Sequence, residues 1–194
     1  MNHPLPRVSV VLPIRNEAAS IRATLESLAS QTYPSDLLEI IIADGMSTDA
    51  TRRIVSEFQS VHSQLTIQQI DNTHQIVPTG LNLAIRASKG DIILRADGHT
   101  VFPDDYVLLC VKTLAAKGAD NIGGKMVAVG ETRFGEVSAA ATSSPFGVGG
   151  ALFHYGTYGA WVDSVYLGCW PREVFHSVGL FDEELVRDQD DEFN

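Results

Sequence analysis

The sequence predicts an α/β fold, a mostly parallel central sheet wound with helices on both faces. Three observations carry this expectation. Short runs rich in Val and Ile alternate along the chain with segments of helical period. Those runs end at Pro, Asp or Asn, residues that turn a chain out of a strand. Neighbouring runs are separated by enough chain for a helical crossover, which parallel strands need and a hairpin cannot supply.

The first strand is VSVVLP (8–13), and the helix after it carries Ile21, Leu25 and Leu28 at i, i+4 and i+7. LEIIIAD (38–44) is the second strand. After it comes STDAT, where Asp49 can cap a helix that runs to about Gln59. LTIQQID (65–71) is the third, followed by a helix opened by Pro78, stopped by Gly90 and apolar along Leu81, Ala84 and Ile85. GDIILRAD (90–97) is the fourth. Asp104 and Asp105 then favour the N-terminus of a helix that contains Tyr106, Val107, Leu109, Cys110 and Leu114.

Composition narrows the function classes. A chain of 194 residues with 44% hydrophobic content can bury one substantial core. Its net charge of -10 opposes a nucleic-acid partner, because phosphate-backbone binding needs clustered Lys and Arg. The two cysteines, Cys110 and Cys169, have no metal-type spacing and read as reduced thiols in a cytosolic setting. No apolar run reaches the roughly 18 residues of a membrane span, and the N-terminus is too short in apolar residues for a signal peptide.

In doubly wound sheets ligands gather outside the carboxyl ends of the strands. Here those ends read LPIRNE (12–17), ADGMSTD (43–49) and RADGH (95–99), each with polar or acidic residues. Asp44 and Asp49 also suit turns and caps, and Asn16 and Glu17 also suit a helix start. Neither GxGxxG after the first strand nor GxxxxGK[ST] anywhere is present, so the glycine-loop routes to phosphate binding are unsupported. What remains is a nucleotide held by side chains, its diphosphate neutralised by a metal. Asp97 and His99 flank Gly98, and a carboxylate with an imidazole can ligate Mn2+ or a similar divalent ion.

The string from VSVVLPIRNE through IIIADGMSTDAT, with GDIILRADGHT downstream, resembles the nucleotide-binding half of family 2 glycosyltransferases of the GT-A fold, most closely the succinoglycan and exopolysaccharide type. The resemblance covers essentially the whole chain. It implies a single catalytic domain, with residues 1–122 as the nucleotide-sugar half and 123–194 as a smaller acceptor-side half. It also implies an inverting, metal-dependent hexosyltransferase that moves a sugar from a nucleotide-sugar donor, UDP-linked, to a glycan or lipid-linked acceptor. Pro13, Arg15, Asn16 and Glu17 would line the nucleoside pocket and Asp44 would meet the uracil or ribose. Asp97 and His99 occupy the family's DxD positions, Asp97 facing ribose or metal-bound water and His99 replacing the usual second Asp as direct ligand. That replacement shifts preference from Mg2+ toward Mn2+.

The same resemblance places Gly168, Cys169 and Trp170 on the wall of the acceptor cleft, where an aromatic ring can stack on a sugar; core packing is the other reading of Trp170. The Gly-rich stretch 147–150 reads as a loop or an acceptor-side flap. In RDQDDEFN, position matching makes Asp191 the catalytic base with Asp190 beside it, although acidic residues there also favour a helix N-terminus. Because family members continue past the base, the expectation is a truncated catalytic domain that binds nucleotide but transfers weakly. The full-length protein is expected in the cytoplasm at the inner face of a membrane. Two competitors share parts of this pattern. A sugar-nucleotide nucleotidyltransferase would need a Gly-rich, basic loop after the first strand, and LPIRNEAAS has no glycine; a glycan-binding module would keep the fold without the chemistry.

Overall fold

The computed structural model describes residues 5–129, 161–162 and 164–185. Its elements are β1 (Val8–Ile14), α1 (Ile21–Ala29), a 3-10 turn (Ser35–Leu37), β2 (Leu38–Asp44), α2 (Thr51–Val61), β3 (Thr66–Asp71) and α3 (Val77–Ala87). After these come β4 (Ile92–Arg95), α4 (Tyr106–Lys117), β5 (Ile122–Gly124), β6 (Tyr166–Pro171) and α5 (Arg172–Ser177). The strands form one sheet in the order β3-β2-β1-β4-β6-β5. The expected strands make a parallel block, β1 paired with both β2 and β4, and β2 with β3. β6 adds antiparallel to β4, and β5 antiparallel to β6. The fold is the expected α/β one, a mostly parallel central sheet flanked by helices.

Alternation along the strands divides the core into two layers. Val8, Val10, Leu12 and Ile14 of β1, with Ile40 and Ile42 of β2, face α1, α2 and α4. Val11, Ile41, Ala43 and Ile93 face the other way, onto Leu81, Ala84 and Ile85 of α3 and Phe175 of α5. Central parallel strands covered on both sides read as continuous apolar runs, which is why IIIAD in β2 lacks alternation. β3 is an edge strand with exposed Thr66, Gln68 and Asp71, so its apolar content is lower. Among the described residues Phe58 of α2 is the largest fully buried side chain, and its burial contributes about 2 to 3 kcal/mol.

Two helix ends follow local chemistry directly. Pro78 sits in the first turn of α3, and Gly118 ends α4 in the left-handed conformation that suits glycine. The N-terminus of α4 does not use Asp104 or Asp105 as a side-chain cap. Gln31, from the end of α1, accepts the Val107 N–H at 2.9 Å, while Asp104 takes the Ser30 hydroxyl at 2.9 Å. A partner from the loop after α1 satisfies the orphan N–H, and propensity alone has no access to that partner.

Candidate functional site

The strand order reverses beside β1: the chain builds β2 and β3 on one side and then crosses to β4 on the other. A cleft of about 600 Å³, part of it open to solvent, lies at the carboxyl ends of the strands at this switch point. From the end of β1 it is lined by Pro13, Arg15 and Glu17, and from the end of β4 by Arg95, Asp97 and His99. Ala43 and Gly45 contribute from β2, and Asn72, Gln75, Ile76 and Val77 from the β3–α3 connection. Five of the residues expected from sequence therefore meet: Pro13, Arg15, Glu17, Asp97 and His99.

Asn16 and Asp44 are used differently. The Asp44 carboxylate is fully buried, takes the Ser47 hydroxyl at 2.5 Å and pairs with Arg52 Nε at 3.1 Å. Asn16, in a left-handed conformation, accepts the Thr48 N–H at 2.8 Å. Both residues organise the loops behind the cleft and are absent from its lining. The segment STDAT completes this interlock by accepting three successive N–H groups of the β1–α1 loop. Ser47 Oγ takes Asn16 N–H at 2.9 Å, Thr51 Oγ1 takes Glu17 N–H at 2.8 Å, and Asp49 takes Ala18 N–H at 3.1 Å. The loop that presents Arg15 and Glu17 is thus held by side chains from another strand end.

Asp49 also accepts the Thr51 N–H at 2.9 Å and the Thr51 hydroxyl at 2.5 Å, so the expected cap of α2 is present one residue ahead of the helix boundary. The Thr51 hydroxyl holds the Asp49 carboxyl below its ordinary pKa range, helped by the N–H groups of Thr51 and Ala18. A depressed pKa in the folded state contributes stability that is present above the unfolded carboxylate pKa and is lost as pH falls through the folded one. Asp49→Ala is expected to lower the urea midpoint at neutral pH, with the gap to wild type closing on acidification. A gap that is constant with pH would show that the charge plays no part.

At the end of β4, Arg95 is buried in the strand and its Nε donates to Asp97 Oδ1 at 3.2 Å. Thr24 of α1, fully buried, donates its hydroxyl to Gly98 O at 3.0 Å and so fixes the turn between Asp97 and His99. A Cβ on Gly98 would stand 2.8 Å from Glu17 Cγ, so glycine is needed for the Glu17 stem to lie across this loop. His99 Nδ1 is 3.2 Å from Glu17 Oε1. Among the described residues no three His, Cys, Asp or Glu side chains gather into a metal site by themselves. A half-buried carboxylate and an exposed imidazole on one turn nevertheless suit a hard or borderline divalent ion whose remaining positions are filled by ligand oxygens.

The structure places Gly168, Cys169 and Trp170, expected on the acceptor wall, in the interior. All three are buried in β6. The Trp170 ring is 4% exposed and meets Phe175 and Phe181 edge-on, with centroids 5.6 and 6.2 Å away. Core packing, the second reading of this residue, is what the fold uses. Cys169 is fully buried, and its hydrogen bond with Cys110 together with burial pushes its thiol pKa well up; both cysteines are free. Asp190, Asp191 and the Gly-rich stretch 147–150 lie outside the described residues.

The sequence reading missed Asn72, Gln75 and Arg95. The strand-end rule that locates the other loops applies equally to NTHQ (72–75) after the third strand. Asn72 is buried, donates to Ile76 O at 2.8 Å and accepts the Thr79 hydroxyl at 2.9 Å, which shapes the connection into α3. Gln75 takes a left-handed conformation there, with φ 62°.

A family model described as Glycosyl transferase family 2 matches residues 9–158. The succinoglycan biosynthesis protein ExoA of Rhizobium meliloti is 32% identical over 187 residues, 95% of this chain and 56% of the relative. Among solved structures, the mannosyltransferase PcManGT from Pyrobaculum calidifontis, in complex with GDP-Man and Mn2+, aligns with TM-score 0.73 and 24% identity. That alignment covers 97% of this chain and 50% of the other. TarS 1-349 of S. aureus in complex with UDP aligns with TM-score 0.76 and 20% identity, covering 96% and 53%. The chain spans between half and three fifths of the length of these proteins.

Proposed function

The chain belongs to glycosyl transferase family 2, and on that premise we propose that the switch-point cleft is the donor site of an inverting sugar transfer from a nucleoside-diphosphate sugar to a glycan or lipid-linked hydroxyl. The observation that carries this reading is the convergence of Arg15, Glu17, Arg95, Asp97 and His99 on one cleft at the carboxyl ends of β1 and β4. All five lie inside the matched stretch. The class of product is an exopolysaccharide or another cell-envelope polymer, supported by the likeness to a succinoglycan biosynthesis protein.

In this reading Pro13 and the neighbouring apolar side chains border the nucleoside, and Arg15 and Arg95 offer positive charge to the diphosphate. Asp44 acts through the loop it buries, because its carboxylate is already taken by Ser47 and Arg52. Asp97 and His99 would hold a divalent ion, Mn2+ or Mg2+. Such an ion, when bound, supplies charge neutralisation to the departing nucleoside diphosphate. Removal of the acceptor hydroxyl proton falls to Asp191 with Asp190 beside it, since a carboxylate within hydrogen-bond reach can take that proton during attack. One base and one stabilised leaving group suffice for single displacement with inversion. Residues 1–122 would then form the donor half and 123–194 the acceptor-side half, with the whole protein working at the cytoplasmic face of a membrane.

Calorimetric titration of UDP and of GDP, each with and without Mn2+, tests the donor site. Binding of one nucleotide that requires Mn2+ supports the reading and names the base. Absence of binding by either nucleotide under every metal condition overturns it.

A further inference from the structure

We infer that Glu17 is a positioning residue for His99, fixing the imidazole as the tautomer that carries its proton on Nδ1 and keeps the Nε2 lone pair for a ligand. Sequence resemblance assigned Glu17 to the nucleoside pocket, but its carboxylate is engaged with the histidine. Glu17 Oε1 lies 3.2 Å from His99 Nδ1, 82 residues away in the chain. A carboxylate only accepts, so the hydrogen in this bond belongs to Nδ1. When the ring is neutral, the other nitrogen is then the one free to coordinate or accept.

Contacts beyond the pair fix both partners. The Glu17 N–H is held by Thr51 Oγ1 at 2.8 Å, and Glu17 Oε2 accepts the Ser20 hydroxyl at 2.7 Å. Its stem crosses Gly98, where a Cβ would stand 2.8 Å from Glu17 Cγ. The turn that carries His99 is tied to buried Thr24 through Gly98 O. The His99 side chain is 62% exposed while that of Glu17 is 25% exposed, so the carboxylate is the anchored member and the ring is the one oriented. Histidines that ligate metals are commonly oriented in this way by a carboxylate on the second nitrogen. What Nε2 meets rests on the donor-site reading above; which nitrogen carries the proton does not.

Long-range proton–nitrogen NMR of the imidazole separates the two questions, with His99→Gln used to assign the signals. At a pH where His99 is neutral, the chain without metal is expected to show protonated Nδ1 and bare Nε2. Glu17→Ala is expected to move the ring toward the opposite tautomer, which an unconstrained histidine in water prefers. Glu17→Gln, which can still accept at Oε1, is expected to restore the native pattern. Mn2+ affinity measured in the presence of UDP should fall about 10- to 100-fold in Glu17→Ala and recover in Glu17→Gln. A wild-type ring protonated on Nε2, or a tautomer unchanged in Glu17→Ala, overturns the assignment of Glu17. Failure of UDP and Mn2+ to bind wild type overturns the donor-site reading instead, and the NMR result still decides the role of Glu17.

Discussion

Asp97→Asn is expected to weaken Mn2+-dependent UDP binding by at least about 100-fold, the upper end of what losing even an outer-shell partner of a metal ligand costs. The substitution keeps the shape of the side chain and its ability to accept from Arg95 Nε, which lies 3.2 Å from Asp97 Oδ1. It removes the negative charge that a divalent ion needs. The thermal midpoint should stay within about 4 °C of wild type, because the change costs on the order of 1 kcal/mol in a chain of this size. Metal-free UDP binding should not fall, since Arg95 lines the cleft and loses an anionic neighbour. If the variant binds UDP and Mn2+ as tightly as wild type while remaining folded, Asp97 does not hold the ion. Loss of UDP binding in the absence of metal would instead assign Asp97 to the nucleotide itself.

Gly168→Ala is expected to destabilise the fold by about 3 kcal/mol. Gly168 has φ 56°, and a Cβ there would stand 2.1 Å from the Trp170 ring. The left-handed backbone costs about 1 kcal/mol for a residue with a Cβ, and forcing extra volume into a packed core costs about 1 to 3 kcal/mol more. The ring cannot retreat freely, because Phe175 and Phe181 pack edge-on against it. Urea unfolding reads the loss. Fluorescence locates it, since the chain has two tryptophans and Trp161 is 75% exposed, so a red shift in the variant reports Trp170. A variant as stable as wild type would show that β6 can shift locally and that Gly168 is not held by the ring.

This outcome bears on function as well as stability. Gly168, Cys169 and Trp170 were expected to face a sugar acceptor, yet they pair β6 against β4 and bury the indole beneath α5. Their sequence, YLGCWP, reads equally well as either, because an aromatic beside a glycine carries no sign of which side of a sheet it faces. Register decides that question: Trp170 pairs with Ile93 and shares its face onto α3 and α5, and a shift of one residue would turn it into the opposite layer, where Cys169 packs.

Local features were legible from the chain alone. The four parallel strands, α1, α2 and α3 and the positions of the loops follow from hydrophobic period, Pro78 and the polar strand ends, because these record short-range backbone preference. The rule on strand ends then identified the cleft without any coordinate, and Pro13, Arg15, Glu17, Asp97 and His99 all line it. The tertiary structure decided which polar groups folding consumes and which it leaves for a ligand. Asp44 and Asn16 look as available as Asp97 in the sequence, but one is buried against Ser47 and Arg52 and the other is bonded to the loop after β2. The Glu17–His99 pair, the interlock of STDAT with the β1–α1 loop and the Gln31 cap on α4 join residues 31 to 82 positions apart. Such partners are set by strand order and register, which place distant side chains within hydrogen-bond reach, and no local pattern encodes that distance.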